Sequence, residues 1–562
     1  MEIEALVTIC TMIMIVIVKL IKKYMIENNI KKDLVYSIED KKDKFIDKNY
    51  KWILGILIVI IAITRLYKFG EIPEYIGCDE AGAAYDAYCL ANYGVDRYLN
   101  VLPLYFVNFG GGQSVLYAYA TIPFIKLFGA NIVSYRLPEL IFFVMGIIVS
   151  YILVSKFKDK KTALLYVFVI TICPWHIEAS RQGLDCNLLA PMFMLDILLL
   201  LNANKNWHYA VAGISIGITL YTYALSWMLI PVFLLFYVVY TLYTKKIKFK
   251  QVIMLGIPIF ICAIPLFYLI LLNHGYVSET RLGIFTIPKL PLYREGEIKL
   301  SNIWNYGETA IYNVFLNKYS LFIFEIPFFV VGLIVGITEF IYSLKNRKFS
   351  FTGFITVAFV ILYITNLTVA IGTINKINIV YFPLLYIITL GIIKVCDKSY
   401  FIPALTLVIL SILFMNFEME YFDTAKRDER DLLHLYESKE LFNITEIIES
   451  DTNNENINKY FITYRTAASY IYSLLETKIA PYEFYETKNK NLNEVPENEM
   501  IVNSFSNYYF FDNVKDSTLE MINNNEKYIV IMDEKYTESI KKLQSNEITI
   551  SDYGHYKIIK NY

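Results

Sequence analysis

The sequence predicts an α-helical polytopic membrane protein of about twelve transmembrane helices with a C-terminal extracytoplasmic α/β domain. Three observations carry this prediction. Of 562 residues, 56% are hydrophobic and only 19% charged, where a soluble chain carries about a quarter charged residues. Apolar runs approaching the ~20 residues needed to cross a bilayer recur as far as residue 417. From 418 onward the chain turns charged and Asn-rich, with short β-prone runs between helical patterns.

The twelve runs are 3–21, 52–68, 136–156, 162–178, 188–203, 208–225, 227–243, 250–272, 319–344, 351–371, 379–395 and 400–417. The first lacks a small-residue cleavage site, and its positive charges follow the apolar stretch, so it reads as a membrane helix and not a signal peptide. Residues 1–50 then form an extra N-terminal helix and basic loop, 51–417 the membrane domain, and 418–562 the outer domain. In the last, strands are expected near 459–464, 500–505, 528–532 and 546–550, and helices near 429–449 and 534–544.

Orientation follows from lysine and arginine in the short loops. The segments Lys19 to Lys51, Lys156 to Lys161, Lys245 to Lys250, Lys345 to Lys348 and Lys394 to Lys398 all become cytoplasmic if the first helix runs outside to inside. The connections 69–135, 179–187, 273–318 and 372–378, and everything after about 418, then face outward. Read as a span, 114–129 would put Lys156 to Lys161 outside. It is therefore expected to be an interfacial or re-entrant helix, where its tyrosines suit the headgroup region.

Net charge is −1, which excludes a basic field for nucleic acid. The seven cysteines form no CxxC pair, so zinc and iron–sulfur sites are not expected. Cys78 and Cys89 share one outer loop and could pair.

Chemistry concentrates in the outer loops. The large loop 69–135 carries Asp79-Glu80, an acidic pair suited to general base work at the membrane edge, or else two solvated loop charges. Further on come Tyr85-Asp86, Gly110-Gly111-Gly112-Gln113, Gly129-Ala130-Asn131 and Arg136-Leu137-Pro138. The second outer turn holds Ser180-Arg181-Gln182-Gly183-Leu184-Asp185, where Asp185 either faces the site or pairs with Arg181 one helical turn before it. Asp196 lies inside a span and needs a partner.

In order and spacing these motifs resemble the GT-C membrane glycosyltransferases, in the branch (glycosyltransferase family 39 type) of the protein O-mannosyltransferases and the lipid A aminoarabinose transferases. The resemblance covers roughly 50–230. It implies that Asp79 is the catalytic aspartate, with Glu80 and Asp185 as accompanying acids and Arg136 the arginine opening the following helix. Arg181 and Gln113 are further candidate substrate contacts; Gly111-Gly112-Gln113 stands where that branch carries a Lys-Pro-Pro segment. In the turn 372–378 it assigns phosphate binding to Lys376, with Asn375 and Tyr381 beside it. A cation at the bilayer edge suits a lipid phosphate, and equally suits an interface anchor. Arg281 and Arg294 are weaker candidates for the phosphate, and His274 reads as a solvated loop side chain.

The implied activity is inverting transfer of a sugar from a polyprenyl-phosphate donor to an acceptor hydroxyl of a protein, wall polymer or lipid. No cofactor is expected; Asp79, Glu80 and Asp185 could hold a divalent metal, which the nearer relatives do without. The expected location is a bacterial plasma membrane with the site facing outward. The rival class is a lipid-linked sugar flippase or polysaccharide transporter, although the inverted repeats and paired helix breaks common in transporters are not evident.

Overall fold

The computed structural model describes residues 32–109, 111–291, 298–369, 374–396, 401–423, 429–452, 457–463, 468–490, 502–543 and 548–562. The expected span 3–21 lies outside them. The helix α1 (Lys32–Leu66) opens the described chain, and its part Lys48–Leu66 is long and apolar enough to cross a membrane. The first large connection holds α2 (Cys78–Tyr93), a hairpin of β1 (Phe106–Asn108) and β2 (Gly111–Gln113), and α3 (Leu116–Phe128). Then come α4 (Ile132–Phe157), α5 (Lys160–Ile172), α6 (Pro174–Ala179) and a 3-10 turn, Asp185–Leu188, running into α7 (Leu189–Asn202). Next are α8 (Asn206–Thr219), α9 (Ser226–Tyr243) and α10 (Phe249–Asn273). A second large connection contains β3 (Arg281–Leu282), β4 (Phe285–Thr286) and α11 (Asn302–Ile311). The bundle closes with α12 (Ile326–Asn346), α13 (Phe351–Asn366), α14 (Ile374–Ile377), α15 (Tyr381–Cys396) and α16 (Phe401–Tyr421).

Eight described helices are long and apolar enough to span, and the protein is a multi-pass membrane protein. The expected spans 162–178, 208–225 and 351–371 form shorter helices, α5, α8 and α13, of 13, 14 and 16 residues. At 1.5 Å per residue these reach about 20–24 Å, against about 30 Å of hydrocarbon. The first is interrupted because Cys173 is extended and Pro174 starts a new helix. The stretch 114–129 folds as the 13-residue α3, also too short to span.

Polar residues set the helix starts. Asn131 caps α4 by accepting from the Ser134 amide, and Asp159 caps α5 by accepting from Thr162. Inside the bundle, α12 and α15 touch backbone to backbone, because a Cβ on Gly332 or Gly391 would run into the carbonyl of Ile387 or Phe328. Asp196, the unpartnered acid of the sequence, accepts from Ser215 Oγ at 2.6 Å and Thr219 Oγ1 at 2.7 Å, tying α7 to α8.

The C-terminal part comprises α17 (Glu429–Thr452), β5 (Asn458–Ile462), α18 (Tyr470–Thr477), α19 (Pro481–Thr487), β6 (Ser504–Phe505), β7 (Tyr508–Phe511), α20 (Asp516–Asn523), β8 (Tyr528–Asp533), β9 (Thr549–Tyr553) and β10 (Tyr556–Lys560). Its six strands form one mixed sheet in the order β6-β7-β5-β8-β10-β9, with β5 parallel to both β7 and β8. Strand alternation serves both faces. Ile529 and Ile531 of β8 join Phe461 against α17 and α18, while Tyr528, Val530 and Met532 face Leu519 and Ile522 of α20. The expected helix 534–544 is a 3-10 helix, Glu534–Lys542.

The first of these cores does not stop at the sheet. It includes Ala81, Ala84, Tyr85 and Leu90 of α2, so the C-terminal sheet and the first large connection share one interior. Tyr85 donates its hydroxyl to the Ile479 carbonyl at 2.6 Å, and Tyr88 to that of Lys478 at 3.1 Å.

Candidate active site

Two buried arginines build the bed of the site. The last carbonyls of a helix have no partner within it. Here the Arg181 guanidinium supplies one, donating to the carbonyls of Thr64, Arg65, Tyr67, Lys68 and Ile72 at 2.7–3.1 Å. Arg136 holds the next stretch through the carbonyls of Pro73 (2.9 Å) and Tyr75 (2.8 Å), and forks onto Glu80 at 2.7 and 3.1 Å. Glu80 also accepts from the Gly183 amide at 2.9 Å. Gly183 fits only as glycine, since a Cβ would overlap the Tyr117 hydroxyl. Arg136 and Glu80 are both buried, and bidentate charged pairing is what makes that tolerable.

On this bed stands a rim in which Asp79 is exposed, at the first turn of α2, where the helix dipole favours an anion. Its carboxylate accepts from Asn108 Nδ2 at 3.1 Å, and its carbonyl from Gln113 Nε2 at 3.2 Å. Both donors come from the β1–β2 hairpin. Asp185 enters from the 3-10 turn, accepting from the Ser114 amide at 3.1 Å and from the Cys186 amide at 2.9 Å. Asp79 and Asp185 are close enough to repel one another, and the Gln113 side chain lies beside the Asp185 carboxylate. The buried atoms Asn108 Oδ1, Gln113 Oε1 and Ser114 Oγ have no hydrogen-bond partner among the described residues.

The late turn arrives at the same place. Its helix α14, which carries Lys376, packs against the Asp185–Leu188 turn. Asn378 locks the two together, donating to Asn187 Oδ1 at 2.8 Å and accepting from Trp175 Nε1 at 2.8 Å. Lys376 is half-buried and Asn375 exposed. Tyr381 is elsewhere: it lies in the bundle core, stacked on Trp175 at 4.3 Å with its hydroxyl on Ser320. Arg281 is exposed on a hairpin that hooks onto the first loop through Leu104 and Thr286 (3.0 Å). Arg294 lies outside the described residues, and His274 is exposed.

The sequence reading missed several residues. Asn108 and Ser114 sit in an ordinary-looking polar stretch. Tyr223, in the turn between α8 and α9, feels the charges of both Asp185 and Asp79. Glu139, one turn past Arg136, is fully buried and has neither oxygen partnered among the described residues. The spacing Arg136 to Glu139 puts both on one helix face, and that signal was available.

Behind α2, Arg97 pairs with Asp86 at 2.7 Å, and Asp96 is buried beside them. Burial, then the Asp86 charge, pushes the Asp96 carboxyl up to about 7 against the donors Tyr98 and Asn100. Cys78 and Cys89 are free thiols, because eleven residues apart on one helix sets them about 16 Å apart along its axis. Among the described residues, no group of three or more His, Cys, Asp or Glu is arranged to hold a metal ion.

Residues 113–268 match the family model of the dolichyl-phosphate-mannose-protein mannosyltransferases. This segment includes Gln113, Arg136, Arg181 and Asp185. No curated protein matches the chain by sequence. Among solved structures, ArnT from Cupriavidus metallidurans in the apo state aligns with a TM-score of 0.54 at 11% identity, covering 91% of this chain and 98% of that one. ArnT bound to undecaprenyl phosphate aligns at 0.53 and 12% identity, with the same coverage. The chain thus shares the fold of ArnT, and its segment 113–268 matches that family model.

Proposed function

We propose that the protein is an inverting glycosyltransferase that moves a sugar from a polyprenyl-phosphate donor to an acceptor hydroxyl at the outer face of the membrane. The observation that carries this reading is the rim. An exposed carboxylate, Asp79, stands beside buried amide and hydroxyl oxygens of Asn108, Gln113 and Ser114 that have no partner among the described residues. Buried polar atoms are ordinarily hydrogen-bonded, and a sugar ring offers hydroxyl groups to such acceptors. ArnT from Cupriavidus metallidurans shares the fold and has been solved with undecaprenyl phosphate, which supports a lipid-phosphate donor.

In this reading the acceptor oxygen attacks the anomeric carbon as the bond from that carbon to the phosphate oxygen breaks. Asp79 takes the acceptor proton, and the leaving phosphate is stabilised by Lys376. Attack opposite the leaving group inverts the anomeric centre. Asp185 orients the hairpin through Ser114 and Gln113, Glu80 and Arg136 position the α2 start, and Tyr381 supports the late turn from the core. The N-terminal helix to residue 50, the membrane domain 51–417 and the outer domain 418–562 are taken as the working divisions. The lysine-rich short loops support an extracytoplasmic side for Asp79.

The test uses Asp79→Asn in proteoliposomes supplied with a polyprenyl-phosphate sugar. Transfer is expected to fall while donor binding persists. Undiminished sugar transfer, or lipid movement across the bilayer with no transfer by either protein, would overturn the assignment.

A further inference from the structure

At the opposite end of the bundle from Asp79, helices α9, α12 and α13 enclose an apolar groove of about 570 Å³. Leu235, Val239, Tyr243, Phe340 and Leu344 line it. Leu235 and Val239 are 67% and 59% exposed, so the groove opens toward lipid and not into the bundle. Tyr240 forms part of its wall, with its hydroxyl held by Ser343 Oγ at 2.7 Å and the Ser350 amide at 3.0 Å.

The same Ser343 and Ser350 line a second pocket of about 270 Å³, whose walls include Phe157, Lys158, Lys348 and Phe349. Two more lysines converge on its aromatic walls. Lys246 Nζ lies 3.7 Å from the Phe349 ring centre and 5.1 Å from that of Phe157, and Lys156 Nζ lies 5.9 Å from the Phe157 ring. Burial and the Lys156 charge push the Lys246 ammonium down to about 8. The one acid lining the pocket is Glu339, which accepts from Ser350 Oγ at 3.4 Å. At the end of the groove, Arg347 stands over the Tyr243 ring at 5.6 Å.

Lys158 and Lys348 in the lining and Lys246 and Lys156 on its aromatic walls outnumber the acids there, Glu339 in the lining and Asp159 at the α5 cap, and an anion among the lysines relieves their mutual repulsion. A hydrocarbon groove adjoining a cationic pocket, with the Tyr240 side chain between them, has the two-part form of an amphiphile. We propose that this is a binding site for one anionic phospholipid of the leaflet on that side, with an acyl chain in the groove and the phosphodiester among Lys158, Lys246 and Lys348. A zwitterionic phospholipid brings its own cation into the lysine cluster and is disfavoured. The polyprenyl carrier of the proposed reaction belongs at the other end, beside Asp79 and Lys376. The inference does not depend on that reaction.

The test uses the full-length protein, purified and stripped of lipid, with phosphatidylglycerol or phosphatidylcholine of identical chains added back and bound lipid counted by native mass spectrometry. One phosphatidylglycerol is expected to bind about tenfold more tightly than phosphatidylcholine. The double variant Lys246→Gln/Lys348→Gln should remove that preference, and Leu235→Trp, which fills the groove, should weaken both lipids. Equal binding of the two lipids by the unaltered protein overturns the proposal even if the variants fail to fold. An unchanged preference in the double variant does so too. Tighter binding of undecaprenyl phosphate than of phosphatidylglycerol, sensitive to the same two lysines, would give the site to the carrier instead.

Discussion

Asp79 and Glu80 are neighbours in sequence, yet they belong to two different regions. Glu80 lies in the bed, where its carboxylate is matched by Arg136 and the Gly183 amide and where Arg181 is spread over five carbonyls. Asp79 lies in the rim, exposed, beside buried oxygens without partners among the described residues. A saturated bed fixes backbone; an unsaturated rim leaves bonding capacity for something else. The division of labour between two adjacent acids is thus written in their hydrogen bonds, not in their charges.

The comparison breaks most cleanly at Asp79. Asp79→Asn should reduce turnover by about 10²–10⁴-fold, the range of a general base, while leaving the unfolding temperature unchanged. A variant that loses stability instead would move Asp79 into the bed. Glu80→Gln should do the reverse, because it leaves the buried Arg136 charge unmatched. The expected loss is about 3–5 kcal/mol of stability, read as lost folded yield or a lowered thermal midpoint. Full stability with lost turnover alone would show Glu80 to be chemical after all.

Smaller effects sharpen the boundary. Gln113→Ala removes one rim partner worth about 1 kcal/mol, so KM for the sugar donor should rise about fivefold with little change in stability. Tyr85→Phe removes the bond from α2 to the Ile479 carbonyl, for a loss of about 1 kcal/mol, with faster hydrogen exchange in α2 as the readout. Asp96 supplies the gentlest probe. Its carboxyl is raised to about 7 in the folded chain from a usual value near 3.8. The native state therefore binds more protons between those values, and stability falls as pH climbs through that window. Asp96→Asn should flatten the slope, measured as thermal midpoint against pH.

Much of this was legible in the sequence. Eight of the twelve expected spans were, because hydropathy runs depend on local composition alone, whereas 162–178, 208–225 and 351–371 fold as shorter helices. Strands β5 and β8 announced themselves as apolar runs, whereas β7 (Tyr508–Phe511) and β10 (Tyr556–Lys560) were not singled out. The division between Asp79 and Glu80 was not legible either. It depends on Arg136, 56 residues away, and on Gly183, 103 away. Arg181 misled for a similar reason: a local pairing with Asp185 looked sufficient, but the guanidinium instead closes the end of a helix more than a hundred residues earlier. Tyr381, expected at the substrate, was drawn into the core by a flat stack on Trp175 that no local pattern encodes.

The shared interior of α2 and the C-terminal sheet carries a consequence for biosynthesis. The two sides of the Tyr85–Ile479 bond are separated by 394 residues, so the helix bearing Asp79 acquires its backing only after the chain as far as Ile479 has been made. Until the sheet has folded against it, α2 presents Asp79 on an unsupported helix.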